Sequence, residues 1–462
     1  MTNKAAAKMH SSSQATIALR EEVLQYAKDR MAMDPAPLDG PQSLEFLKKH
    51  ASGTISEKGL GGHKALKVFD EVLAPACIST DHPGYLSFIP VAPTEAATLF
   101  DLVVSATSVY GGSWLEGSGA VFAENEVLAW LAKEVGLPKT SGGVFVQGGS
   151  LGNLSALVTA RHTAIQERKK DKKKLPKRWS IIASKESHSS LKAAARVMDI
   201  DIVLADVDKD GRLRGKAVLK AAKKIKDGLF AVVATSGTTN FGIVDRLDEV
   251  GTAAKKLGVW YHIDGAYGLA GILDPKSKHL FKGSNKADSF IVDPHKWLFT
   301  PFDCCALVYR KPKLASAAHT QHGEYLDALT DGDEFNPSDY AYNLTRRARG
   351  LPLWFSLATY GVNAYRKAVA ENIDVAHKIA QVISKRKDLK LVREPELSIV
   401  VFEKEGWQLA DYQKWSDRIL AEGLGFVVPS SHQGKPNARF AIVNPRTDVK
   451  LLTQIIDSMD EK

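Results

Sequence analysis

From Gly143 to Tyr309 the chain alternates between two rhythms. Short apolar runs rich in β-branched residues recur at Gly143–Gln147, Ser180–Ala183, Asp201–Ala205, Leu229–Thr235, Trp260–Asp264, Ser289–Val292 and Cys305–Tyr309. Runs of this length, bounded by turn residues, read as strands. Helical periodicity fills most of the gaps: Leu151–Gln166, Ser190–Met198, Gly215–Asp227 and Leu247–Leu257, with Glu124–Val135 ahead of them. Strands joined by helical crossovers predict an α/β fold with a mainly parallel central sheet.

The flanks follow other patterns. Ala15–Met33, Ser43–Lys49 and Gly61–Val72 have helical spacing, interrupted at Pro35, Pro37, Gly40 and Pro41. This segment is too short and too broken to hide its apolar faces alone, so it should pack on another surface such as a second subunit. Beyond Arg346 one long helix is expected over Leu353–Ser384. Three short strands follow, Lys390–Val392, Leu397–Glu403 and Phe440–Val443, with helices at Gln408–Glu422 and Asp448–Met459. The expected division is therefore an N-terminal helical segment over 1–90, a large α/β domain over 91–350 and a small α+β domain over 351–462. A chain of 462 residues is long enough for such a division.

Composition changes this picture little. The formal net charge is +9, and much of it sits in Arg168–Arg178, RKKDKKKLPKR. No aromatic stacking set is interleaved with those cations, so they read as a solvated helix end and no nucleic-acid partner is expected. Cys77, Cys304 and Cys305 form no metal or disulfide spacing, which fits a reducing cytoplasm. No window approaches a membrane-spanning length of apolar residues, and the N-terminus lacks a secretory pattern. Asp206–Gly211 imitates the start of a calcium loop, but Ala217 stands where a glutamate is required, so it reads as a turn. No metal site is expected.

The chemistry gathers where strands end. Gly148-Gly149-Ser150-Leu151-Gly152-Asn153 lies between a strand and a helix, the place where free N–H donors and the helix dipole attract an anion. Asp264 closes a buried strand, where a carboxylate needs a partner. Lys296 follows the strand Phe290–Val292 in Asp293-Pro294-His295-Lys296-Trp297, where partial desolvation favours a neutral amine. Taken singly, Asp264 reads equally well as half of a structural ion pair, and Lys296 as a snorkelling surface lysine. Together they suit pyridoxal 5'-phosphate (PLP). Its phosphate needs a helix start, its ring nitrogen a carboxylate and its aldehyde an amine. His188 could lie flat on the ring, Ala266 beneath it, and Thr235 against its substituents.

The ordered motifs resemble the group II PLP-dependent amino-acid decarboxylases, relatives of aromatic-L-amino-acid and tyrosine decarboxylases. The matching stretches are His82–Tyr85, Gly148–Asn153, Ser187–Ser190, Ala234–Asp245, His262–Gly268, Ala287–Trp297, Arg346–Arg349 and Arg439–Thr447. The resemblance implies the PLP-dependent transferase fold type I, like aspartate aminotransferase. It implies Lys296 as the Schiff-base lysine, Asp264 as partner of the pyridine nitrogen and His188 as the stacking ring. Gly149, Ser150, Ser289 and His295 become phosphate or near-phosphate groups; Thr235 and Ala266 become ring contacts. It further implies a homodimer with its active site at the subunit interface.

The reaction so implied is loss of carbon dioxide from an L-amino acid to leave the amine. A loop tyrosine within 321–344 is expected to serve the protonation, with Tyr340 the first choice and Tyr325 and Tyr342 competing. Phe335 in that slot would point instead to oxidative deamination and an aldehyde product. Tyr85, Phe88, Ile89 and Pro90, with Trp114 from a partner subunit, make a flat apolar pocket suited to an aromatic side chain. An acidic substrate and a non-catalytic PLP-fold binding protein stand as alternatives.

Overall fold

The computed structural model describes residues 8–321, 323 and 335–461. Tyr325 and His322 lie outside that range. Three helices begin the chain: α1 (Gln14–Ala32), α2 (Leu44–Ala51) and α3 (Gly62–Val68). The Ser13 and Ser43 side chains cap the first two by accepting from Thr16 N and Phe46 N. None of the three buries a single residue.

The large unit then follows in chain order: α4 (Glu95–Thr107), α5 (Trp114–Val135), β1 (Gly142–Val146), α6 (Gly149–Lys170), β2 (Ser180–Ser184), α7 (Ser189–Met198), β3 (Asp201–Ala205), α8 (Gly215–Ala222), β4 (Leu229–Thr235), α9 (Leu247–Leu257), β5 (Trp260–Asp264), β6 (Ser289–Val292), α10 (Pro294–Trp297), β7 (Cys305–Tyr309) and α11 (Pro312–His319). The seven strands form one sheet in the order β1-β7-β6-β5-β4-β2-β3. All neighbours pair in parallel except β7, which is antiparallel to both β1 and β6. This is the architecture of fold type I.

Helices cover both faces, which is why these strands read as continuous apolar runs. Successive side chains still part to opposite faces. Ile182, Val232, Ile263 and Phe290 join one core cluster, and Ile181, Ala183, Val233 and Ile291 the other. The Asp206–Gly211 stretch is a turn: Asp208 Oδ1 accepts from Asp210 N and Arg212 N, each at 3.0 Å.

The C-terminal part contains α12 (Leu351–Tyr360), α13 (Val362–Lys385), β8 (Leu389–Leu391), β9 (Ile399–Lys404), α14 (Leu409–Ala421), β10 (Ser430–His432), β11 (Lys435–Ala441) and α15 (Val449–Asp457). Its four strands form a second, antiparallel sheet. The single helix expected over Leu353–Ser384 is two. Gly361 breaks it with φ +74°, a left-handed conformation that a glycine adopts without a Cβ penalty. Leu86, expected with the N-terminal helices, belongs instead to the small domain's core. Its N–H donates to Phe426 O, and its carbonyl accepts from Ala441 N.

One buried ion pair ties α5 to the chain entering α12. Arg346 and Glu124 side chains are 3% and 2% exposed and lie 2.8 Å apart. Arg346 also donates to Phe145 O, and Glu124 Oε1 accepts from Gly350 N. Removing one member of such a pair strands the other's charge in a low dielectric. Arg346→Ala is expected to cost ~3–5 kcal/mol, read as a fall in the urea midpoint by tryptophan fluorescence.

Among the described residues no helix is long and apolar enough to cross a membrane. All three cysteines are free.

Candidate active site

The C-terminal ends of β2, β4, β5 and β6 and the start of α6 surround a cleft of about 550 Å³. Ligands of open α/β sheets bind at this edge. Gly149, Ser150, His188, Thr235, Asp264, Ala266, His295 and Lys296 all line it, as do Phe88 and Ile89. A larger hollow of about 1290 Å³ lies among the N-terminal helices, without any of these groups.

Lys296 turns inward. Its side chain is 25% exposed, and Nζ lies 2.8 Å from Asp293 Oδ2. That excludes a snorkelling lysine. Among the described residues Asp264 makes no ion pair with a cation: Oδ2 accepts from Asn153 Nδ2 at 2.9 Å and Oδ1 from Ala266 N at 3.2 Å. That excludes the structural-pair reading.

A directed hydrogen-bond chain lies behind Asp264. Trp260 Nε1 donates to Ser289 Oγ at 2.9 Å. Ser289 Oγ meets His262 Nδ1 at 2.8 Å, and His262 Nε2 meets Asn153 Oδ1 at 2.9 Å. Asn153 Nδ2 then donates both to Asp264 and, at 3.0 Å, to Ser190 Oγ. The ends set the direction, because an indole only donates and a carboxylate only accepts. Ser289 therefore donates to His262 Nδ1, and His262 carries its proton on Nε2. Burial pushes the His262 imidazole down to about 3, so it stays neutral, as one donor and one acceptor require. The branch through Ser190 reaches His188: Ser190 N donates to His188 Nδ1 at 3.2 Å, with Ser190 Oγ 3.0 Å away. His188 Nδ1 is thus an acceptor, and the ring is held at the head of α7.

Asn153 is the junction of this chain, so removing it takes one partner each from Asp264, Ser190 and His262 and leaves the buried His262 Nε2 unpaired. Asn153→Ala is expected to weaken PLP binding about 10- to 100-fold with the circular dichroism unchanged. Equilibrium dialysis measures it.

Five residues expected at the site stand elsewhere in the chain that carries the cleft. Ser289 begins β6, whereas Lys296 follows its end. A strand of this length separates them by roughly 10 Å, and Ser289 joins the hydrogen-bond chain behind Asp264 and does not line the cleft. Tyr85 packs edge-on against Phe426, ring centroids 5.0 Å apart, because this extended stretch is bound to the small domain. Pro90 is buried just past Ile89 and does not line the cleft. Trp114 starts α5, its N–H donating to Asn336 Oδ1. Tyr340 stacks on Phe335 at 4.2 Å, and its carbonyl accepts from Tyr309 OH. Burial pushes the Tyr340 phenol up to about 12, which suits packing.

The cleft fits PLP on two structural observations. Thr235 Oγ1 is buried and has no hydrogen-bond partner among the described residues. The α6 start is a cradle with little room for a side chain: a Cβ on Gly149 would meet Ala266 Cβ and Asp293 Oδ2, each at 3.2 Å. There the first N–H groups of a long helix lack intrahelical partners and can hold a phosphate.

Sheet order and cleft together define a fold type I PLP protein. Comparison with known sequences narrows this. Residues 48–405 match the pyridoxal-dependent decarboxylase conserved domain. The chain belongs to that family and is a PLP-dependent carboxy-lyase. It is similar to an aromatic-L-amino-acid decarboxylase of Bacillus atrophaeus, 29% identical over 435 residues that cover 91% of this chain and 89% of the relative. A 3,4-dihydroxyphenylacetaldehyde synthase of Aedes aegypti is 28% identical over 425 residues, 87% and 81% of the two chains. Among solved structures, Oryza sativa TDC with PLP and tryptamine superposes with a TM-score of 0.89 at 23% identity, covering 97% of this chain and 98% of that one.

Proposed function

We propose that this enzyme decarboxylates an L-amino acid with an aromatic side chain, yielding the amine and carbon dioxide. The observation that carries this reading is the apolar wall of the cleft. Phe88 is 61% exposed at its mouth beside Ile89. Its carbonyl is held by Arg439 Nη1 at 2.8 Å, which fixes the segment that presents the ring. The Bacillus relative, named for aromatic substrates, supports the same class.

The proposed roles rest on the family motifs and are supported by the shared lining of one cleft. Lys296 supplies the amine for the cofactor aldehyde, Asp264 faces the ring nitrogen, His188 covers the ring and Ala266 lies beneath it. Gly149, Ser150 and His295 hold the phosphate end, and Thr235 meets a ring substituent. Bound PLP supplies an electron sink for the pair left at Cα when carbon dioxide departs. The chain's part is to aim the carboxylate bond perpendicular to that ring and to exclude water.

The test is product analysis with tyrosine, tryptophan, phenylalanine, dihydroxyphenylalanine and glutamate. An aromatic substrate with the highest kcat/KM supports the reading, and glutamate with the highest overturns it. Aldehyde and hydrogen peroxide as products would mark the oxidative route named for the Aedes relative. Phe88→Ala is expected to raise KM for the preferred substrate about tenfold, ~1.4 kcal/mol.

We also propose a cytoplasmic homodimer with Trp114 acting across its interface. Helices α1–α3 leave their apolar side chains uncovered, and Leu102 on α4 and Phe122 on α5 are 49% and 60% exposed. Leu102→Asp with Phe122→Asp should convert a dimer to a monomer in sedimentation velocity. A monomeric wild type would overturn this.

A further inference from the structure

Two carboxylates act on Lys296, from different elements. Asp264 ends β5, and Asp293 sits between β6 and α10. The ion pair is with Asp293, three residues before the lysine, so the single turn of α10 sets the two side chains on one face. Asp293 is only 2% exposed, and its Oδ1 is buried with no hydrogen-bond partner among the described residues. His295 Nε2 lies 3.6 Å from Oδ2, and burial holds that imidazole below its ordinary value. Cys305 on β7 is the other titratable group against the pair, and Asp303 acts on His295. Helix α6, packed over them, offers Gly149, Ser150 and Asn153 and no charge. A carboxylate so enclosed needs a cation. Lys296 is that cation.

We propose that Asp293, rather than Asp264, is the counter-ion of the Lys296 nitrogen, holding it as an ammonium in the cofactor-free chain and as a cation once it is joined to the cofactor aldehyde. The second half rests on the proposed role of Lys296. Burial works against the ammonium, but the charge and hydrogen bond of Asp293 outweigh it, and Asp264 adds to them; the amine is held above its ordinary range. Burial likewise opposes the Asp293 carboxylate, and Lys296 and His295 outweigh it, holding the carboxyl below its ordinary range.

Asp293 would serve as a reversible proton store for that joining: it would take one proton from the ammonium to free the lone pair for the cofactor aldehyde, whose oxygen would leave as water with the two remaining amine hydrogens, and would hand the proton back to the Lys296 nitrogen, ending as the carboxylate it began as.

The test reads the nitrogen's own titration. Cofactor-free protein is pulsed with acetic anhydride across a pH series, and acetylation of Lys296 is followed by peptide mass spectrometry. The wild-type midpoint is expected above the ordinary lysine value of about 10.4. Asp293→Asn should lower it by at least one pH unit, making Lys296 about tenfold more reactive at pH 8. Asp264→Asn should move it less. In the PLP-loaded protein, the pH midpoint of the visible band should also fall by at least one unit in Asp293→Asn. Equal midpoints for wild type and Asp293→Asn, or a larger fall in Asp264→Asn, would overturn the assignment. Should Asp293→Asn not fold, a wild-type midpoint at or below the ordinary value does so alone. If the wild type shows no visible band with PLP, the proposed function fails, while the acetylation series still judges the ion pair.

Discussion

Lys296→Ala is expected to lower carbon dioxide release by about four orders of magnitude or more, and to abolish the visible band of lysine-linked cofactor. The reason is positional. Among the described residues Lys296 is the lysine that lines the cleft, and it stands one helical turn past β6. An amine added from solution lacks that placement and loses the advantage of a preset geometry. Its partner Asp293 would be left as a buried, unpaired carboxylate, so the variant should also be less stable. Carbon dioxide release and the absorption spectrum of the loaded protein check the two parts separately. Turnover at the wild-type rate would remove Lys296 from the chemistry.

Asp264→Ala is expected to reduce kcat about a thousandfold, ~4 kcal/mol, with a smaller change in KM. The carboxylate is the end point of the chain from Trp260 through Ser289, His262 and Asn153. Each member is buried and pre-aligned, so a charge in the proposed place beside the ring nitrogen would cost no rearrangement at the moment of reaction. An interaction with the electron sink counts most when the electrons arrive, which is why the loss should appear in kcat. Single-turnover rates measured at saturating PLP separate this from weakened cofactor binding. A loss confined to KM would show that Asp264 positions substrate instead.

The sheet was largely legible in the sequence. Ser180–Ala183, Leu229–Thr235 and Trp260–Asp264 are apolar runs because helices cover both faces, and that pattern differs from helical spacing. The residues at strand ends were legible too. Gly149, Thr235, Asp264 and Lys296 each follow or close such a run, and an open parallel sheet brings those ends to one edge. Other assignments rested on neighbours that are distant in sequence. Asn153 looks like any polar residue of a helix, yet it bonds partners from positions 190, 262 and 264. Asp293 carries no role in the sequence beyond its place in the Asp293–Trp297 motif, yet it lies 2.8 Å from Lys296 Nζ.

What the sequence determined by itself is therefore the order of strands and helices, the family motifs, and which side chains end the strands. These depend on local periodicity and on residue type at a turn. The tertiary structure alone decided which carboxylate touches the lysine and that Ser289 serves His262. It also decided that Tyr85 faces Phe426 instead of the cleft. Those outcomes depend on distances of a few ångströms between residues as much as 341 positions apart. Such distances are settled by packing and by the pairing of buried polar groups, which no local pattern records.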